Sequence, residues 1–548
     1  MACLKYSGIM KEVSMAVAAM LIFSGCNHLP PPPVAMEPGA TDSVMLNYAT
    51  AENGYAAAYY KLHDDLLQEI KTELLQREEN SLPACAADLN SCLGPDGQEK
   101  LYVTKDKEVR LHRNSQDEDE LVFVEQDPAF QVRVYLSSSG KYFFIESFSD
   151  ETTECRFLPT DLKNLKPVLF LERTTGHWYT ADHFGGMFFW ILSNQFAPTR
   201  KLFVTPVNLP GAKGWNTVIM PNDTIFIEGY SVLDQKYLAL IQRKNQSVAL
   251  QITDIVPPKK TTDKVENKIS FKEPEGRITN ITYEKKEKRI IFHYSSMKSP
   301  LTCFSYGIDS KRLSIRWRKQ IKGYDPDNYK AEVLWVPQKN GSPVAVSVMH
   351  RIDLAKPDGQ NPLLLIPFLS GFPGDREGFN PSMISLLDRG FYIAYAHIGM
   401  EMDSEQLKYT TEIIDIAEFL VKMGITLKGQ ITLMGMKTGA TLALAAAAEN
   451  PDIFKAVVAE YPVCEEDSKF QKIPALLILS GLQKGQKADF GVIKKVAKMR
   501  KNKADCNILL IQTELNPVKE EDILRVAQKW TFIHSCYGLG GSLRTYGI

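Results

Sequence analysis

The texture of this chain changes sharply near residue 329, and the change decides what it can fold into. Across residues 102–317 the sequence is a succession of short alternating runs, such as Val132-Arg133-Val134-Tyr135 and Lys141-Tyr142-Phe143-Phe144-Ile145, separated by turn residues. Many short strands at nearly even spacing indicate an all-β sandwich, barrel or propeller. From residue 329 onward, apolar runs at 363–366, 392–396, 431–434, 456–459, 475–479 and 507–511 are separated mostly by helical or loop segments. That alternation predicts a mainly parallel sheet covered on both faces. Ahead of both, residues 48–79 read as helices, with Leu66, Leu67, Ile70, Leu74 and Leu75 at helical spacing. A chain of 548 residues is too long for one core, and two large domains fit its length.

Within the second region, Gly435-Met436-Lys437-Thr438-Gly439 sits between a strand-like run and the alanine- and leucine-rich stretch 440–448. Strand, tight turn and helix are what a nucleophile elbow of the form Gly-x-Ser-x-Gly requires, because the turn holds its central side chain out over the sheet edge. Here lysine occupies the serine's place. A solvated ammonium is protonated near neutral pH and is no acyl-transfer nucleophile. The same residues do not make a phosphate loop, which needs glycine immediately before the lysine, where Met436 stands.

Composition excludes little. Hydrophobic content of 44% and charged content of 24% are those of an ordinary globular protein. With 64 basic and 65 acidic residues the net charge is −1, which points to neither nucleic acid nor an anionic membrane surface as a partner. Nine cysteines show no metal-ligand spacing, so neither a metal nor a cofactor is expected; Cys85 and Cys92 are spaced for a small disulfide loop or for two free thiols. Near the N-terminus, Met10-Lys11-Glu12-Val13 precedes an apolar stretch at 15–23 and then Ser24-Gly25-Cys26. A basic start, a short apolar core and small residues before a cut site describe a secretory signal peptide, against the alternative of a buried N-terminal helix. Ser24-Gly25-Cys26 resembles a bacterial lipobox, with Phe23 where leucine is more usual. By that resemblance Met10 is the true start, Cys26 is lipidated, and the protein is anchored in the bacterial cell envelope, at the periplasmic or outer-membrane face. The run from His28 to the prolines 30–33 then acts as a stiff spacer. The organisation expected is a signal peptide (1–25), a Pro-rich linker (26–45), a helical segment (46–95), a truncated propeller-like domain (96–325) and an α/β-hydrolase-like domain (326–548).

Several stretches, in order along the chain, resemble the prolyl oligopeptidase family, and most of all its oligopeptidase B branch. They are Tyr48-Ala-Thr-Ala-Glu52-Asn53-Gly-Tyr55, the run from Asp119 to Phe130 followed by Ser138-Ser139-Gly140-Lys141-Tyr142, and His177-Trp-Tyr179-Thr-Ala-Asp182-His183. Later come Ser385-Leu-Leu-Asp388-Arg389-Gly390-Phe391, Ala396-His397-Ile398 and Asn450-Pro451-Asp452-Ile-Phe454-Lys455-Ala456. The resemblance implies a helical lead, a β-propeller that gates access and an α/β-hydrolase domain. By the same pattern residues 102–112 already belong to the middle of the propeller, so the opening blades are missing. The segment after His397-Ile398 has shrunk to Gly399-Met400-Glu401, and only a short charged connector remains between Val463 and Ile473.

Acyl transfer of this kind needs a nucleophile, a base held by a carboxylate, and donors for the oxyanion. Carried over residue by residue, the resemblance puts Lys437 at the nucleophile position and Lys484 at the aspartate position, in Ser480-Gly481-Leu482-Gln483-Lys484. The histidine should fall within 514–522, which contains none; His534 lies beyond it and reads as a surface or packing residue. The oxyanion tyrosine falls at Phe368, whose ring offers no donor. A dyad in which Lys437 activates Thr438 or Thr441 lacks oxyanion donors. Asp415 and Asp489 read as solvated or capping carboxylates, and Asp388 and His397 as determinants of the fold. The expectation is a peptidase-like protein without an intact site, Gly435 and Gly439 keeping only the elbow's frame, with a peptide or a protein as partner. The alternatives are a working serine oligopeptidase that cleaves short peptides after basic residues, and a structural component of the envelope.

Overall fold

The computed structural model describes residues 29, 32–33 and 42–538, apart from 80–89, 117, 150–151, 196, 220–223, 256–265, 340, 370–377, 399–405, 464–474, 483–490, 502–507 and 515–518. It forms two compact units that do not follow chain order: one holds residues 80–321 and 371–379, the other the N-terminal helices with 322–370 and 380 onward.

The first unit is a β-propeller of five four-stranded antiparallel blades among the described residues, spanning 91–124, 131–169, 179–219, 226–271 and 277–318. In a blade with neighbours on both sides, alternate side chains serve two different interfaces. Phe143 and Ile145 join Leu101, Val109 and Leu111 of the first blade, while Phe144 between them joins Phe189 and Phe203 of the third. The apolar run 142–145 is therefore continuous because both of its faces are buried. The later interfaces repeat the arrangement, with Trp190, Leu202 and Leu238 between the third and fourth blades and Leu250, Ile290 and Phe292 between the fourth and fifth. The first blade starts at Ser91–Leu93, paired with Lys100 to Tyr102, so the propeller boundary expected at 96 moves back to 91.

The second unit is built on one eight-stranded sheet. Its strands are β1 (Tyr329–Gln338), β2 (Gly341–Arg351), β3 (Leu363–Leu369), β4 (Tyr392–Ile398), β5 (Ile431–Met436), β6 (Phe454–Glu460), β7 (Ala475–Leu482) and β8 (Ile508–Glu514). The spatial order is β1-β2-β4-β3-β5-β6-β7-β8, antiparallel from β1 to β4 and parallel from β4 to β8. This is the α/β-hydrolase architecture. Its helices are α1 (Asp42–Leu62), α2 (Asp64–Glu79), α3 (Ile384–Leu387), α4 (Gln406–Lys422), α5 (Thr438–Glu449), α6 (Gly491–Lys501) and α7 (Lys519–Cys536). The small side chains of α5 allow close approach to the sheet, and Leu442, Ala443, Ala446 and Ala447 share one core with Ile413, Ile416 and Leu420 of α4.

The helical lead is part of this unit, not a separate segment ending at 95. Helix α1 starts at Asp42, inside the stretch read as a linker, and Tyr48 and Ala49 enter the hydrolase core. Glu52 is fully buried and is gripped by Arg500 through two bonds of 3.0 and 2.8 Å, with the Tyr48 hydroxyl donating to it at 2.7 Å. Asn53 pairs its side-chain amide with the backbone of Gln512 on edge strand β8, accepting at 2.8 Å and donating at 3.3 Å. On α2, Leu67, Ile70 and Leu74 are buried as their spacing suggested, whereas Leu75 is 37% exposed.

Candidate functional site

Strand β5 ends at Met436, α5 begins at Thr438, and the single residue between them is Lys437. Its backbone has φ 52° and ψ −121°, a conformation that side-chain-bearing residues seldom adopt and that costs about 1–3 kcal/mol. The turn is held from both sides. The Lys437 amide donates to the Glu460 carbonyl of β6 at 2.8 Å, and its carbonyl accepts from Ala440 and Thr441 at 3.0 and 3.1 Å. The lysine side chain is exposed. The strained apex of a nucleophile elbow is therefore present, with an exposed lysine side chain at its tip.

The two glycines of the frame are not equivalent. A Cβ on Gly435 would lie 2.3 Å from the Gly439 carbonyl oxygen and 2.7 Å from the Ala440 nitrogen, which no side chain tolerates. A Cβ on Gly439 would meet only the Pro367 oxygen at 3.5 Å, an ordinary contact. The close approach of strand to helix is thus bought by Gly435.

The other carried-over positions divide between the described and undescribed residues. Phe368, near the end of β3, is half-buried and forms a T-shaped pair with the buried His397, centroids 6.0 Å apart. Its phenyl ring supplies no hydrogen bond. Thr438 opens α5 directly after the apex, the position whose backbone amide faces the oxyanion in a nucleophile elbow. Lys484, most of the stretch expected to carry the histidine, Asp489 and Cys26 lie outside the described residues, as does Cys85; Cys92 is a free thiol.

Two other candidates are already engaged. The Thr441 hydroxyl donates to the Val463 carbonyl at 2.9 Å and accepts the Val463 amide at 3.1 Å, so it staples the chain after β6 to α5. Asp415 is neither solvated nor capping: it lies buried within α4 and pairs with Lys339 at 2.5 Å. His534 is buried in α7, where burial and the nearby Arg389 guanidinium push its imidazole down to about 4. Asp388 caps α3 and accepts from the Tyr329 hydroxyl at 2.5 Å and Arg351 at 3.0 Å. Arg389 pairs with Glu69 at 2.9 Å and Glu73 at 2.8 Å, tying α2 to the sheet.

Beside the elbow, a group that sequence reasoning passed over surrounds the end of β6. Lys529 of α7 pairs with Glu460 at 2.8 Å, and Arg525 donates to the Tyr461 hydroxyl at 3.0 Å. Met436 and Val463 are 59% and 61% exposed. The signal was available, because Glu460-Tyr461-Pro462 follows a parallel strand next to the elbow strand, and the carboxyl ends of such strands line the crevice where ligands bind. Cationic and apolar groups thus flank the apex.

The model of the prolyl oligopeptidase N-terminal β-propeller domain matches residues 93–318, and the prolyl oligopeptidase family model matches residues 378–517. Dipeptidyl aminopeptidase BI of Pseudoxanthomonas mexicana is 27% identical over 403 residues, covering 69% of this chain and 54% of that protein. Protease 2 of Moraxella lacunata is 23% identical over 474 residues, covering 76% of this chain and 67% of that one. The chain spans about half the length of several curated relatives it matches. Oligopeptidase B from Leishmania major shares the fold with a TM-score of 0.70 at 21% identity, over 83% of this chain and 73% of that structure.

Proposed function

The chain belongs to the prolyl oligopeptidase family, and from that premise we propose that it is a family member without peptidase chemistry that serves as a peptide- or protein-binding lipoprotein. The observation that carries this reading is Lys437, an exposed lysine at the strained apex where the nucleophile belongs. Supporting it, the sequence has a second lysine, Lys484, at the aspartate position, no histidine in 514–522, and Phe368 in place of a donor tyrosine. A surviving backbone donor at Thr438 polarises a carbonyl but forms no covalent bond with it.

The ligand class follows from the fold's relatives, which bear names of peptidases. A site that keeps the elbow's shape and a backbone donor, with Met436 and Val463 exposed beside it, suits a peptide that is held and not cut. The signal-peptide pattern and Cys26 support an envelope location through a lipid anchor.

The test of inactivity exposes the purified mature protein to a fluorophosphonate probe and to basic fluorogenic peptides. Neither labelling nor turnover is expected, and Lys437→Ser alone is expected to remain unlabelled because no base stands ready to activate it. Specific labelling that disappears on mutating a single hydroxyl residue would sink the reading. For the anchor, Cys26→Ser is expected to release the protein from membranes; unchanged membrane association rejects the lipobox. Photo-cross-linking with peptide libraries separates a binder, which is labelled saturably, from a scaffold, which is not.

A further inference from the structure

Arg200 of the propeller lacks what comparable arginines there possess. Arg133, Arg156 and Arg173 lie against the rings of Phe148, Phe123 and Phe130. Each is also paired with a carboxylate: Arg133 with Glu146, Arg156 with Glu154 at 2.5 Å, and Arg173 with Glu125 at 2.8 Å. Arg200 has rings and no such carboxylate. Its guanidinium carbon lies 3.7 Å from the Trp178 ring centroid and 4.6 Å from that of Phe226. The residue is 5% exposed, yet among the described residues no hydrogen bond or ion pair reaches its side chain.

Three segments converge on it at one end of the blades. Arg200 closes the turn 194–200 between the third blade's second and third strands, Phe188–Ser193 and Lys201–Pro206. Ser193 is opposite both Tyr179 and Lys201 in register, so Trp178 leads into the first strand at the same end as the turn. Asn194 fixes that lead, accepting the Trp178 amide at 2.9 Å and donating to the Gly176 carbonyl at 2.9 Å. The Ile227 amide of the fourth blade donates to the Thr199 carbonyl at 3.0 Å, which brings Phe226 alongside. Trp178 and Phe226 are half-buried and Pro198 is exposed, so the guanidinium lies just beneath the surface. Arg200 itself holds φ at 66°, the left-handed region that glycine or asparagine enters with less strain, so the turn's backbone does not select arginine.

Ring faces attract the cation but take up little of its hydrogen-bonding capacity, whose N–H donors form a planar fork. Burial pulls the Arg200 guanidinium down to about 9, against the opposing charge of Glu228, so it is still a cation at neutral pH. Glu228 is already engaged: its carboxylate accepts from Arg243 Nε and, at 3.1 Å, from Arg243 Nη2. Two guanidinia thus share one carboxylate, and one positive charge among the three groups is left over. We propose that Arg200, with Trp178 and Phe226, forms a binding site for a ligand carboxylate, accepted edge-on by the guanidinium fork. One carboxylate cancels the residual charge and takes two parallel N–H bonds, the geometry arginine favours. A phosphate dianion exceeds that charge and is repelled by Glu228. The two rings pack the apolar part of the ligand next to its carboxylate. A peptide's C-terminus and an acidic side chain present the same group. The site belongs to the propeller and does not rest on the reading of the elbow.

The experiment titrates the full mature chain calorimetrically with three blocked peptides: N-acetylated trialanine as the free acid, the same peptide as its amide, and an amidated peptide with glutamate at its centre. At least one of the two carboxylate-bearing peptides is expected to bind saturably, with the neutral amide weaker by about tenfold or more. Which acid binds tells a terminal from a side-chain carboxylate. Arg200→Met keeps an apolar stem between the rings and removes the charge; it is expected to lose the preference for the acid, while Lys437→Met keeps it. Equal affinity for acid and amide, or no binding of either acid, overturns the proposal without any variant. A preference that survives in Arg200→Met, or one that Lys437→Met abolishes, also overturns it. Where circular dichroism shows Arg200→Met unfolded, Arg200→Lys takes its place. That variant keeps the charge without the planar fork, and the acid is expected to bind about tenfold more weakly; unchanged affinity rejects the site. Inorganic phosphate that competes more strongly than acetate overturns the assignment to a carboxylate.

Discussion

Two regions of the hydrolase unit carry sequence that resembles the family, and they are held together in opposite ways. Where the helical lead is anchored, Glu52, Asn53, Asp388 and Arg389 match the family pattern, and each makes at least two polar bonds to a distant part of the chain. At the elbow, Lys437 departs from the pattern at an exposed side chain, and Phe368 departs at a half-buried one. The frame beneath them, Gly435 and the amides around Lys437, is retained. A change at the anchor strands a buried charge; a change at the elbow tip alters chemistry and leaves the packing alone. The packing of the fold and the chemistry at the elbow tip therefore depend on different atoms.

The sharpest way to break that contrast is at the anchor. Glu52→Ala leaves the Arg500 guanidinium buried without its carboxylate, and removing one partner of such a pair costs about 3–5 kcal/mol. Urea unfolding of the variant against the wild type measures it. A loss below about 1 kcal/mol, the range of surface pairs, means that the helical lead is not anchored as described.

The second effect depends on pH and also belongs to the anchored region. His534 faces Arg389, Glu73 of α2 and His63, and its imidazole is held down to about 4 by burial and then by the Arg389 charge. The unfolded chain binds a proton there near pH 6.5, while the native state refuses it until about 4. Stability is then complete above pH 6.5 and falls as pH drops toward 4, by on the order of 3 kcal/mol. His534→Leu is expected to flatten this part of the curve. Glu73, held below the ordinary carboxylate range by its pairing with Arg389, loses its contribution only at lower pH. An unchanged slope between pH 7 and 5 in the variant would show that His534 titrates normally.

How much of this was legible depended on whether the cause was local. The six parallel strands were read from apolar runs because a strand buried on both faces announces itself in consecutive residues. The evenly spaced blades were likewise visible, though not the choice among sandwich, barrel and propeller, which is made by contacts between sheets. Glu52 carried no mark of burial, since its partner Arg500 lies 448 residues away. Asp415 misled for the same reason: its cation, Lys339, comes from the β1–β2 turn. At the elbow the substitution was legible and its geometry was not. Nothing in Gly-Met-Lys-Thr-Gly told which glycine the turn cannot do without.

That last point is testable at a middle scale. Gly435→Ala forces a methyl group to within 2.3 Å of the Gly439 carbonyl oxygen, and relief by moving strand from helix costs about 1–3 kcal/mol. Gly439→Ala, with an ordinary contact at 3.5 Å, is expected to be near neutral or slightly stabilising, since alanine favours a helix. Equal effects on thermal unfolding would mean that the elbow has relaxed away from the geometry described.

The smallest effect has the opposite sign. Lys437 holds φ at 52° and ψ at −121° with its side chain in solvent, so no packing compensates for its backbone strain. In a serine elbow that strain has a purpose, because it presents the nucleophile; on the reading proposed above, no chemistry offsets it at Lys437. Lys437→Gly removes the Cβ that makes the conformation costly while adding the backbone entropy that glycine loses on folding. The first term exceeds the second, and a net gain of about 1 kcal/mol is expected, with no change at the Glu52–Arg500 anchor. A destabilised Lys437→Gly protein would mean that the ammonium makes a stabilising contact, and the elbow tip would then belong with the anchored region instead of opposite it.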